Sequence, residues 1–165
     1  MEPGVIVMPA IETGKELRLE NVLSLRKKMT QPEIQQEMMK IGQYFQEKGI
    51  KKNGPVVTAT FAVEQVEGQP LLDMEILVPM DKQVDLDGEY RLKKVFHLVN
   101  AVYARHEGNP NFLQTTLNEM VKYSKDQGLR QITAAYNVNV RELKPGDSLE
   151  EMVVDVYIGV DPSTL

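Results

Sequence analysis

Met74-Glu75-Ile76-Leu77-Val78-Pro79-Met80 is an apolar run with one acid at its second position, and about eighty residues later Val154-Asp155-Val156-Tyr157-Ile158-Gly159-Val160 follows the same plan. Gly49 and Gly128, both set just past an amphipathic stretch, repeat at nearly the same spacing. A period of this length is too long for a solenoid repeat. It marks a duplicated supersecondary unit, and that reading governs the expected architecture.

Working outward from the first run, Val57, Ala59, Phe61 and Val63 alternate with Thr58, Thr60, Ala62 and Glu64, the period of a strand. Glu67-Gly68-Gln69-Pro70 supplies the turn of a hairpin whose return strand spans about residues 71–80. Before it, Thr30-Gln31-Pro32-Glu33 reads as a capping box with an early proline, and Ile34, Met38, Ile41 and Phe45 form one helical stripe closed by Gly49. Asn21 to Met29 reads as a strand. Residues 1–19, with Pro3, Gly4, Pro9 and Gly14 around Val5-Ile6-Val7-Met8, read as an N-terminal arm or an added edge strand.

The second unit repeats this order. Tyr90 to Arg105 is strand-like, Asn109-Pro110 opens a helix with the stripe Leu113, Leu117, Met120 and Val121, and Gly128 closes it. Ile132, Ala134, Tyr136, Val138 and Val140 alternate against Thr133, Ala135, Asn137, Asn139 and Arg141. Lys144-Pro145-Gly146-Asp147 turns the chain into a last strand, with Met152, Val154, Val156 and Ile158 on one face. The polar linker 81–89 separates the halves. The expectation is an α+β fold of two tandem strand–helix–strand–strand repeats, about residues 20–80 and 90–160, within one domain spanning 20–165.

Two helices would cover one face of the antiparallel sheet. The opposite face is expected to carry Thr58, Thr60, Glu75, Leu77, Ala135, Asn137, Asn139, Asp155 and Tyr157, a mixture too apolar for open solvent and too polar for a core. It suits the lining of a ligand cleft. Candidate ligand-binding residues are therefore Glu75, Leu77, Thr58, Thr60, Asn137, Asp155 and Tyr157, with Tyr103 presenting its hydroxyl from the long strand.

Composition narrows the function classes. The chain has 165 residues, 42% hydrophobic and 26% charged, enough for a substantial core. Its formal charge of −5 gives no global footprint for nucleic acid, and Arg26-Lys27-Lys28 reads as the solvated end of a strand. Cysteine is absent, which removes disulfides, thiol nucleophiles and thiolate metal sites. The N-terminus lacks the pattern of a secretory signal, and no run reaches membrane-spanning length, so neither membrane nor nucleic-acid partners are expected and the location expected is cytoplasmic.

Glu75-Ile76-Leu77-Val78-Pro79-Met80, His106-Glu107-Gly108-Asn109-Pro110-Asn111-Phe112 and Asp155-Val156-Tyr157-Ile158-Gly159-Val160, in this order, resemble the GyrI-like (gyrase-inhibitory-protein-like) effector-binding domains of bacteria. That family includes ligand-binding halves of multidrug-responsive regulators and shares a fold with the SOUL haem-binding proteins. The resemblance covers about residues 20–160 and implies a pocket using Glu75, Asp155 and Tyr157. Members that bind cations, and those that hydrolyse, usually carry a glutamate two residues before a tyrosine on the penultimate strand; here Ala134 precedes Tyr136. With no Trp, 4 Phe and 6 Tyr, an aromatic cage for a flat cation is poorly furnished. No DNA-binding segment precedes the layout, so a stand-alone domain is expected. The pattern is also similar to small proteins encoded near type VII secretion and toxin genes in Gram-positive bacteria.

Glu75 and Asp155 at matching places invite an acid–base pair, but exposed or paired acids on a sheet face are the plainer reading. His97 and His106 lack metal-ligand spacing and read as hydrogen-bonding or capping residues; neither metal nor cofactor is expected. No nucleophile elbow or phosphate loop occurs, and Met38-Met39 reads as core. The leading expectation is a non-enzymatic protein that binds a small, partly apolar ligand. Two alternatives stand beside it: a protein-interaction adaptor with a filled cleft, and a hydrolase of a strained electrophile using Glu75 or Tyr157.

Overall fold

The computed structural model describes residues 9–141 and 144–161, so Val5-Ile6-Val7-Met8 lies outside the described residues. The elements are β1 (Ile11–Met29), α1 (Gln31–Lys48), β2 (Val57–Val66), β3 (Gln69–Pro79), β4 (Arg91–Glu107), α2 (Leu113–Asp126), β5 (Arg130–Arg141) and β6 (Val153–Asp161). Short 3-10 turns at Pro110–Phe112 and Leu149–Glu151 precede α2 and β6. All strand pairings are antiparallel, and the order β1-β3-β2-β5-β6-β4 closes into a barrel with β4 back against β1.

Closure depends on β1. It begins at Ile11 rather than near Asn21, and its 19 residues pair with β4 through Ile11–Ser24 and with β3 through Val22–Met29. Where the two pairings meet, Asn21 takes a positive φ of 52°, a left-handed conformation that asparagine tolerates, and its carbonyl accepts the Met80 N–H at 2.8 Å. On the far side, β2 and β5 are joined by three residue pairs, Val57 with Val138, Thr58 with Asn137 and Ala59 with Tyr136.

Each helix packs outside the barrel. The Thr30 backbone N–H donates to the Glu33 carboxylate at 3.0 Å to start α1, and Gly49 at φ 65° ends it. Ile34, Ile41 and Phe45 meet Leu23, Leu25, Ile76 and Val78 of β1 and β3, whereas Met38 packs at the margin and Met39 is exposed. Fully buried Met120 anchors α2 against Val102, Val154, Val156 and Ile158, with Leu113, Leu117 and Val121 beside it. A side chain buried to this degree contributes about 1.5–3 kcal/mol. The linker after β3 is not loose: Val84 and Leu86 pack on the α1 core, and Tyr90 meets Tyr44 edge-on with centroids 5.0 Å apart.

Barrel closure corrects the expected faces of two strands. Cross-strand partners point to the same side of a sheet. Thr58 pairs with Ile76, Thr60 with Met74, and Asn137 with Val156, all three partners belonging to the helix-side cores. Val57, Ala59, Tyr136 and Val138 instead turn inward beside Leu77. The more apolar member of each alternating pair was expected beneath a helix, but the closed barrel makes its interior the drier surface for β2 and β5.

Small residues permit one close approach inside. Gly159 pairs with Ala101 on β4, and its N–H donates to Thr133 Oγ1 at 2.8 Å where β5 bulges between Gln131 and Ala135. A Cβ at Gly159 would stand 2.7 Å from Thr133 Cγ2, and the Thr133 hydroxyl is also held by the Ala134 carbonyl at 2.7 Å. Gly159→Ala is therefore expected to lower stability by about 1–3 kcal/mol, read as an earlier urea midpoint, with Thr133→Ala restoring part of the loss. An unchanged midpoint would show that the bulge yields freely.

Candidate functional site

The inward face can be followed strand to strand through its register. Glu75 and Leu77 on β3 stand opposite Ala59 and Val57; these lead to Tyr136 and Val138 on β5, then to Tyr157 and Asp155 on β6, then to Tyr103 and Arg105 on β4. Leu17, Val22, Val57, Ala59, Leu77 and Leu98 pack with Tyr136 and Val138 as its apolar girdle, joined by the partly exposed Phe61, Phe96 and Tyr157. Of the expected ligand-binding residues, this face gathers Glu75, Leu77, Asp155, Tyr157 and Tyr103. Thr58, Thr60 and Asn137 lie on the other side of the sheet.

Glu75 is buried at 4% exposure and accepts two short hydrogen bonds at 2.6 Å, from the Ser24 hydroxyl on β1 and from Lys93 Nζ on β4. A buried carboxylate requires this kind of compensation, because desolvation alone would neutralise it. Tyr136 is held up in pKa, first by its burial and then by the Glu75 charge. Its ring lies 4.9 Å from Phe96 and 6.5 Å from Phe61, centroid to centroid. The protein's own cations sit on these rings. Arg26 Cζ is 3.9 Å above the Phe61 centroid while its guanidinium holds Asp73, and Lys93 Nζ is 5.6 Å from the Phe96 centroid.

Asp155 builds the second charged cluster. It receives the Tyr103 hydroxyl at 2.8 Å and both Nε and Nη2 of Arg105 at 2.8 and 3.0 Å, a bidentate pair. Arg105 is raised in pKa by that hydrogen bond and charge. Tyr103 is pushed up to about 12, by burial first and then by donating to Asp155. Its ring lies 5.0 Å from that of Tyr157, whose own pKa rises through burial and the Asp155 charge. Glu75 and Asp155 are thus each neutralised by a separate cation, not set up as an acid–base pair.

Several functional candidates were not singled out by sequence. Tyr136, Phe61 and Phe96 alternate as ordinary strand residues, and Lys93 and Arg105 become meaningful only through pairing across β4. Both histidines are engaged: His106 donates from Nε2 to the Asn109 carbonyl at 3.0 Å with Nδ1 2.9 Å from the Thr116 hydroxyl, and His97 Nε2 is 2.8 Å from Glu16. Arg26, Lys27 and Lys28 all pair, with Asp73, Glu37 and Glu89, and Glu64. Among the described residues no group of three or more metal-ligating side chains occurs, and no helix is long and apolar enough to cross a membrane.

Two cavities lie away from this face. One of about 600 Å³ is lined by Lys52, Gly54, Pro55, Asn139, Arg141 and Lys144 among others, and one of about 400 Å³ lies by Val121, Ser124, Gly128 and Leu129 at the end of α2.

Burial of Tyr103, together with its bond to Asp155, gives a pH signature. The folded pKa of about 12 exceeds the ordinary value of 10.0, so folding favours the protonated phenol. Its stabilisation is present below the unfolded value and is lost as pH rises through the folded one. Ultraviolet titration should find one tyrosine ionising near 12, absent in Tyr103→Phe, whose stability should fall less steeply over the same alkaline range. Ionisation of Tyr103 at its ordinary value would refute this buried, hydrogen-bonded setting.

No protein-family profile and no curated protein matches the chain by sequence. Solved structures do match in fold. The C-terminal domain of EcmrR superposes with a TM-score of 0.75 at 14% identity, over 95% of this chain and 100% of that domain. EcmrR in its DNA complex gives 0.73 at 17% identity over 94% of this chain; the chain spans 58% of the length of that protein. A hydrolase from Listeria innocua gives 0.64 at 16% identity, covering 93% and 92% of the two chains. The chain shares the fold of the EcmrR C-terminal domain, in line with the expected GyrI-like architecture.

Proposed function

We propose that this protein binds a small, partly apolar molecule on the inward face of the barrel, without catalysis. The observation that carries this reading is the placement of the aromatic side chains. Phe61, Phe96, Tyr136, Tyr157 and Tyr103 turn inward beside two ion-paired acids instead of packing beneath the helices. Rings flanked by fixed polar groups supply apolar contact area together with orientation, the usual makeup of a small-molecule site. The likeness to EcmrR supports the same reading through its fold. The strand–helix–strand–strand order in each half fits a duplicated unit, with Glu75 and Asp155 at matching places.

The chemistry favours binding over turnover. Glu75 is committed to Ser24 and Lys93, and Asp155 to Tyr103 and Arg105. Tyr103 and Tyr157 are harder to ionise than a free phenol, which suppresses them as nucleophiles near neutral pH. A hydrolase reading would need one of these pairs to break. The adaptor reading draws on Val95 and Val99, which stand out from β4 at 52% and 74% exposure.

Differential scanning fluorimetry against a broad metabolite and drug library should find ligands that raise the melting temperature, because binding to the folded state stabilises it. Phe61→Ala, at a partly exposed position, should weaken a confirmed ligand by about tenfold or more. A library without any shift, together with a hetero-complex that survives gel filtration from the native host, would favour the adaptor reading instead.

A further inference from the structure

On the inward face the acids are buried and their cations are the more exposed partners. The Glu75 side chain is 5% exposed against 37% for Lys93, and Asp155 is 12% exposed against 46% for Arg105. Arg26 adds a third exposed cation, 53% accessible, over the Phe61 ring. A molecule approaching these rings meets positive head groups, although the whole chain carries a formal charge of −5.

The same arrangement excludes an incoming cation. The ring positions that would attract one are occupied by Arg26 and Lys93, and the carboxylate that would neutralise it already holds Lys93 at 2.6 Å. What the site still offers is donors. An ammonium has three N–H groups and a guanidinium five. The described contacts commit Lys93 to Glu75 alone and Arg26 only through Nε and Nη2 to Asp73. The remaining donors match the oxygens of a carboxylate.

Resting on the reading that this face binds a small molecule, we infer that its ligand is an aromatic anion, a planar carboxylate whose ring packs beside the Phe61–Tyr136–Phe96 cluster and whose oxygens take the outer donors of Lys93 and Arg26. Glu75 then serves to fix the position of Lys93, and Lys93 sets the ligand's charge.

A matched series that varies only charge tests this: 2-naphthoate, 2-naphthamide and 2-naphthylmethylammonium, titrated calorimetrically into the full chain. Naphthoate should bind at least about tenfold more tightly than the ammonium, with the amide between them. Arg26→Gln, at a mostly exposed position, and Lys93→Gln should each weaken naphthoate several-fold. Glu75→Gln, which keeps Lys93 and removes the competing negative charge, should strengthen it. Circular dichroism checks that each variant is folded. Equal or tighter binding of the ammonium overturns the inference, as does naphthoate affinity indifferent to all three substitutions. If naphthoate fails while other library compounds raise the melting temperature, the anion assignment falls and the binding face stands. Silence from both the series and the library removes both.

Discussion

The double pairing of β1 is the constraint on which the molecule depends. One strand of 19 residues hydrogen-bonds to β3 along one stretch and to β4 along the other, and this turns a sheet into a ring. Once the ring is closed, much of the face opposite the helices becomes interior, with Phe61, Phe96 and Tyr157 left partly exposed at its margin. Every group on it must then be apolar, small, or chemically satisfied. Leu77 and Val57 meet the first condition, Ala101 and Gly159 the second, and the clusters around Glu75 and Asp155 the third.

The helices and the outer faces of the long strands could be read directly from the chain. Ile34, Ile41 and Phe45 of the helical stripe and the alternation Met74, Ile76 and Val78 bury where their periods place them, with Met38 at the margin, because one side chain pattern meets one helix. The inward orientation of Glu75, Leu77, Asp155 and Tyr157 was legible for the same reason. The faces of β2 and β5 were not. Alternation divides a strand into two sets but does not say which set meets the drier surroundings, and Tyr136 and Val138 chose the barrel interior over α2. Thr58, Thr60 and Asn137 moved outward with that choice.

The partners of the acids were beyond sequence reading for a different reason. Lys93 reaches Glu75 from a separate strand, and Arg105 reaches Asp155 across the β4–β6 ladder, so register decides each pair. A lysine or arginine on a long strand carries no local mark of this duty. The basic run Arg26-Lys27-Lys28 shows the same limit, since its three charges are spent on three different elements. Local sequence supplied the charges, and topology supplied their use.

The ladder between β2 and β5 has a mechanical consequence. It holds three residue pairs, while β1 and β4 share a far longer zip. A hoop fastened by one brief clasp yields at the clasp, because fewer ladder bonds must part there than at any other junction of the ring. Parting the two hairpins there would uncover Ala59 and Tyr136, which that short ladder joins.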